Sequence, residues 1–210
     1  MAHFLFDEAA HRYVMMPGSR HVESVTQVLD AVGMSPDFSH LDPYYRERGH
    51  AIHKAMSLEL LGKLDDSTLD PRIVPFVERG RRWLDALEVT PLVVEHRWCH
   101  TVLEYGGTLD LFCESKLGLL FVDWKATMND PAYEVQVAGG YEPLLIEAAE
   151  QGAVPIAPGD VRAARIAVVT LGTEMPKMHW CSRQNPAGIL NAELFRNALA
   201  VVKWRAAHRR

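Results

Sequence analysis

The stretch Tyr105 to Lys125, YGGTLDLFCESKLGLLFVDWK, decides the fold. Two apolar runs, Leu109-Leu111-Phe112-Cys113 and Leu119-Leu120-Phe121-Val122, flank the segment Glu114-Ser115-Lys116-Leu117-Gly118. That polar, Gly-ended segment suits a short antiparallel connection, so the stretch reads as one β-hairpin. With the loop at Ser115 to Gly118, Asp110 falls opposite Asp123. Facing carboxylates repel, and each lies beside apolar residues, so a pair left without a cation costs on the order of several kcal/mol. Lys125 points to the same face as Asp123, and Trp124 to the other, because strand side chains alternate. Two chemistries satisfy such a cluster. One is a hard divalent cation, Mg²⁺ with Mn²⁺ as its substitute, held by carboxylate oxygens. The other is a buried Asp-Lys-Asp ion-pair cluster with a structural role.

The order Gly107-Thr108-Leu109-Asp110, twelve residues, then Asp123-Trp124-Lys125 resembles the PD-(D/E)xK nuclease superfamily in its RecB-type branch. Flanking segments carry the same resemblance. The opening HRYVMMPGSRHVESVTQVLDAVG is similar to the start of phage and bacterial members, where a hairpin precedes a Ser-Val-Thr helix. Arg48-Gly49-His50-Ala51-Ile52-His53 resembles their motif in which a His after an Arg-Gly pair joins the two acidic residues; His53 matches that position. Read alone, His53 on an inward helix face is also an ordinary hydrogen-bonded core histidine. Gln136 and Tyr141 resemble a Gln and Tyr one helical turn apart in the family, although the spacing here is five and the usual spacing is four. Glu95 resembles an acidic residue that precedes the hairpin and is equally readable as a surface strand glutamate.

The resemblance implies an α/β, restriction-endonuclease-like core with a central mixed β-sheet flanked by helices. It also implies metal-dependent hydrolysis of DNA phosphodiester bonds. His53, Asp110, Asp123 and the Trp124 carbonyl would hold the metal. Lys125 would position the attacking water and stabilise the charged transition state. Gln136 would hold the reacting strand or the lysine, and Arg48, Lys125 and Gln136 would touch DNA. Glu95 and Tyr141 are accessory candidates. Within the branch, an exonuclease acting on linear ends in recombination, replication or repair is expected first, and a structure-specific or nicking endonuclease second. A non-catalytic DNA-binding scaffold is the reading from another class. No Gly-rich phosphate loop and no Ser-His-Asp or Cys-His arrangement points to a small-molecule enzyme.

The rest of the chain frames this site. Its 210 residues suit one domain with an N-terminal hairpin and helical addition and a C-terminal helix. A formal net charge of −5 provides no global pull towards nucleic acid, so DNA contact must be local. Three cysteines, Cys99, Cys113 and Cys181, fit reduced thiols on strands and cannot supply the four-cysteine iron–sulfur cluster of some RecB-type enzymes. No basic leader with an apolar core and no long apolar run is present, so a cytoplasmic protein without a membrane partner is expected.

In chain order, Phe4 to Phe6 and Arg12 to Met16 read as a hairpin across Asp7 to His11, closed by a Pro17-Gly18 turn. Ser24 caps a helix that stops at Gly33. Asp42-Pro43 starts a helix to about Leu61, and Asp70-Pro71 one to about Leu87 carrying Arg79, Arg81 and Arg82, which form a solvated face or touch phosphates. A strand covers Leu92 to Cys99. A loop, Ala126 to Asp130, leads into a helix from Ala132 to Glu150, and Gln151 to Asp160 form a further loop. Strands over Ala164 to Thr170 and Met178 to Cys181 meet around Gly172 to Pro176. A helix from Pro186 to Ala207 runs into a basic end, Lys203 to Arg210, that suits the helix dipole or a DNA backbone.

Overall fold

Ser115 N–H and Gly118 N–H exchange hydrogen bonds with each other's carbonyls, and Gly118 adopts φ +90°, which a glycine tolerates without strain. This turn closes the central hairpin between β5 (Gly106–Glu114) and β6 (Leu120–Lys125). The computed structural model describes residues 3–8, 10, 12–36, 42–127, 130–172 and 174–208. The hairpin lies inside a five-stranded sheet of order β4-β5-β6-β7-β8, completed by β4 (Thr90–Cys99), β7 (Arg165–Thr170) and β8 (Lys177–Cys181). The β6–β7 pair is parallel and the others are antiparallel. The fold is therefore α/β with a mixed central sheet flanked by helices, compatible with a restriction-endonuclease-like core.

Apolar residues alternate along β6 and supply both faces of the sheet. Phe121 joins one core with Phe112, Val168, α1 (Val25–Ala31) and α7 (Asn191–His208). Leu120, Val122 and Trp124 join a second core with α2 (Pro43–Leu60) and α3 (Val74–Leu87), where Trp83 meets Trp124 edge to face. A parallel crossover links β6 to β7 through α4 (Ala132–Glu134), a π-helical stretch (Val135–Tyr141), α5 (Glu142–Glu150) and α6 (Pro158–Ala163).

Ser24 caps α1 through a reciprocal capping box with Gln27, and Asp42 caps α2 by accepting from Tyr44 N–H. Four local expectations are corrected. The N-terminal hairpin is a three-stranded sheet of β1 (Phe4–Asp7), β2 (Arg12–Met15) and β3 (Arg20–Val22), because the chain beyond Gly18 returns to pair Val22 with Tyr13. Helix α3 starts at Val74, not near Asp70. Pro75 has no N–H to return to the Pro71 carbonyl and its ring clashes there, so it fits only the first turn. Residues Pro158 to Asp160, expected in a loop, open α6, where Pro158 takes the first position and the Asp160 carboxylate accepts from Ala157 N–H. Helix α7 begins at Asn191, not Pro186. The Asn185 side chain holds Ala187 N–H and Ile189 N–H in a turn, and Gly188 sits at φ +81°. Ala9, His11, Met128, Asn129, Thr173, Arg209 and Arg210, within expected loops or the basic end, lie outside the described residues.

Candidate active site

The pairing of β5 with β6 runs from Cys113 with Leu120 to Leu111 with Val122. One further step in that register sets Asp110 beside Asp123, as the sequence predicts. Recorded pairing ends there, and Asp110 Oδ2 accepts from Trp124 N–H at 2.8 Å. Its other oxygen, Oδ1, lies 3.0 Å from His53 Nδ1. His53 comes from α2, on the face of the sheet that buries Leu111 and Trp124.

Side-chain alternation slips by one residue at Asp110. Leu109 and Phe112 share one core, whereas Leu111 belongs to the other. On β4 the residue facing Asp110, between His96 paired to Leu109 and Val94 paired to Leu111, is Glu95 at φ +47°. A left-handed non-glycine residue within a strand costs about 1 kcal/mol or more and kinks the ladder. The kink turns Asp110 towards α2 and leaves Glu95 half-buried beside it.

Lys125 shares the face of Asp123, as strand alternation requires. Its Nζ lies 2.7 Å from Asp123 Oδ2 and 4.5 Å from the centre of the Tyr133 ring. Lys125 is the only partner of Asp123 Oδ2 among the described residues. Asp110 and Asp123 are buried, while His53 and Lys125 keep side-chain exposures of 29% and 16% and form the open rim.

Electrostatics separate the two carboxyls. Burial pushes Asp110 up, but His53, Lys125 and the Trp124 N–H outweigh it and hold Asp110 below the ordinary carboxylate range. For Asp123, burial is the largest influence and the Asp110 charge adds to it, so despite Lys125 its value is raised. Burial works against the charged forms of His53 and Lys125, yet Asp110 raises the first and Asp123 the second above their ordinary values. Glu95 is raised, by burial first and then by Asp110.

Gln136 and Tyr141 meet, and the helix explains their spacing. Glu142 N–H bonds back to Val137 C=O, an i to i−5 bond, and this wider turn stacks residues five apart on one face. Gln136 Nε2 donates to Tyr141 Oη at 2.9 Å. Pro143 gives the physical cause: within a continuous helix it has no N–H for the Gly139 carbonyl, and its ring crowds that turn. The Gly140 carbonyl is taken up by Tyr105 O–H at 2.9 Å. Burial, and next the Asp123 charge, raise the Tyr141 phenol well above its usual value, so it stays protonated. In the sequence, Pro143 beside Gly139-Gly140 is the signal for this turn.

The other candidate cations have contacts of their own. Arg48 packs its guanidinium over the rings of Tyr45, Phe76 and Tyr44. Arg81 is paired with Glu59 and Asp66, Arg82 donates to the Glu78 carbonyl, and Arg79 donates to the Leu171 carbonyl. In the basic end, Lys203 and Arg205 donate to the carbonyls of Leu103 and Ala31. The sequence did not single out Thr170, a buried hydroxyl on β7 that pairs in register with Lys125 and lies 3.3 Å from His179 Nε2.

Two carboxylates match Mg²⁺ or Mn²⁺ in donor type, whereas an imidazole suits Mn²⁺ and softer metals better than Mg²⁺. The two internal ion pairs use the remaining capacity, and among the described residues no three His, Cys, Asp or Glu side chains form a ready ligand set. No helix of the described residues is long and apolar enough to cross a membrane. No family model matches the chain, and no curated protein does.

Proposed function

We propose that this protein is a divalent-metal-dependent DNA nuclease of the PD-(D/E)xK superfamily, working in the cytoplasm on the ends of linear DNA. The observation that carries the reading is the grouping of two ion pairs, His53 with Asp110 and Lys125 with Asp123, whose charges act on one another where β5 and β6 part. Two carboxylates grouped in a buried site are costly to keep for structure alone.

Asp110, Asp123 and His53, with the Trp124 carbonyl, would hold Mg²⁺, which when bound supplies positive charge beside the scissile phosphate. Lys125 would orient the attacking water and offset charge on the phosphoryl oxygens. The Asp110 bond to His53 fixes the ring, and Trp124 N–H fixes the carboxylate. Gln136, oriented by Tyr141, would hold the strand being cut or the lysine. Glu95, whose proton affinity burial and the Asp110 charge raise, would act in its ionised form and take a proton from the attacking water.

The test is digestion of linear DNA labelled separately at each end, alongside a covalently closed circle, with Mg²⁺, Mn²⁺ or EDTA, using the parent and Asp110→Ala. The expected result is stepwise loss from one end, abolished by EDTA and by the substitution. Cutting of the circle would assign an endonuclease instead. The internal pairing of Asp110 with His53 and Asp123 with Lys125 favours a second reading, a DNA-binding scaffold. It takes over if no substrate is cut and calorimetry detects no Mn²⁺ binding.

A further inference from the structure

Three guanidinium groups and three aromatic rings alternate across the face shared by α2 and α3. Arg72 lies 4.9 Å from the centre of the Tyr44 ring. Arg48 lies 5.7 Å from Tyr44, 4.9 Å from Tyr45 and 5.1 Å from Phe76. Arg79 lies 5.4 Å from Phe76. Cation–π contacts hold such a ladder without neutralising it. Arg72 has the Asp70 carboxylate as partner, but among the described residues no carboxylate comes within ion-pair distance of Arg48 or Arg79. Arg48 Nε is also buried without a hydrogen-bond partner. Two guanidinium groups fixed by rings and lacking an anion form a site for phosphate oxygens.

The ladder and the candidate site share helix α2 and the chain around Leu171. Arg48 and His53 both belong to α2, five residues or about 7.5 Å apart along its axis. At its other end Arg79 donates to the Leu171 carbonyl at 3.0 Å, and Leu171 N–H donates to the Lys125 carbonyl at 2.9 Å. Tyr45, with Arg48 against its ring, is 47% exposed. An open tyrosine backed by a guanidinium is a stacking platform for an unpaired base, and a duplex, whose bases are already stacked, cannot use it.

We infer that the Arg72–Tyr44–Arg48–Tyr45–Phe76–Arg79 ladder binds single-stranded nucleic acid, with a base on Tyr45 and its phosphates on Arg48 and Arg79. This rests on the nuclease reading for its biological use and extends it to a substrate form: the strand approaches the carboxylates single-stranded across α2 and α3.

The experiment is fluorescence anisotropy of a labelled oligothymidylate and of a blunt duplex of equal length, in EDTA over a range of salt. Tyr45→Ala is expected to weaken single-strand binding about 5- to 100-fold. Arg48→Gln is expected to weaken it and to lower the slope of log affinity against log salt by about one. Tyr45→Phe, which keeps the ring, and Arg162→Gln, which removes a cation paired to Glu150 elsewhere, are expected to bind as the parent does. Circular dichroism checks that each variant is folded. Parental affinity in folded Tyr45→Ala and Arg48→Gln, no binding by the parent, or a duplex bound as tightly as the single strand would each overturn the ladder. Binding without Mg²⁺-dependent cleavage, weakened by the ladder variants, keeps the ladder and removes the nuclease; cleavage with unaffected ladder variants does the reverse.

Discussion

Tyr141 shows what one side chain does at this site. Its hydroxyl accepts from Gln136 Nε2 and keeps its own proton, because burial disfavours the phenolate. Tyr141→Phe leaves a buried amide without its acceptor, and urea unfolding is expected to show a loss of about 1–2 kcal/mol with an unchanged m value. No loss would mean that Gln136 is held by something else. The pairing was half legible: both residues stand out in the sequence, but their spacing of five fits no α-helical turn, and only the wide turn ahead of Pro143 brings them together. Asp123 and Lys125 were fully legible, since alternation along β6 is unbroken. Asp110 was legible in position and not in direction, because the kink at Glu95 depends on how β4 lies against β5.

At the scale of elements, capping and proline account for most of the boundaries. Ser24 Oγ accepts from Gln27 N–H and Ser24 N–H donates to Gln27 Oε1, so α1 is started by two reciprocal bonds. Ser24→Ala is expected to cost about 1 kcal/mol, read as a lower urea midpoint. A neutral result would assign the start of α1 to tertiary packing by Val25 and Val28 alone. Pro75 and Pro143 act oppositely on their helices. The first fixes where α3 begins, and the second forces a helix already running to widen. A proline in sequence announces the constraint, and its neighbours in space decide between these responses.

For the whole molecule, the sheet separates two apolar cores, one against Cys181 and one holding Cys113, while Cys99 packs with Tyr13 and Met15 of the N-terminal sheet. Burial is the first influence on each of Cys99, Cys113 and Cys181 and raises all three thiols to about 12. A thiol reagent at pH 8 is expected to label none of them within minutes in the native protein and all three in denaturant. Prompt labelling of Cys113 would show that the central hairpin opens locally. The linkage runs in the same sense. The neutral thiols cost nothing below pH about 9, where unfolded cysteines begin to ionise, and stability falls as the pH rises from there towards 12.

The sequence by itself determined the hairpin, its register, the common face of Asp123 and Lys125, and the capped starts of α1 and α2. All of these rest on periodicity, turn chemistry and contacts between near neighbours. Only the tertiary structure decided that His53 meets Asp110, that Glu95 kinks β4 against β5, that Gln136 bonds to Tyr141, and that Arg48 stands in a ladder with Phe76 of α3. Three of these join residues from separate elements, and the fourth needs a helical turn that local spacing does not produce. Each follows from how two layers close on one sheet, an arrangement that the packing of both apolar cores sets and no short stretch of chain encodes.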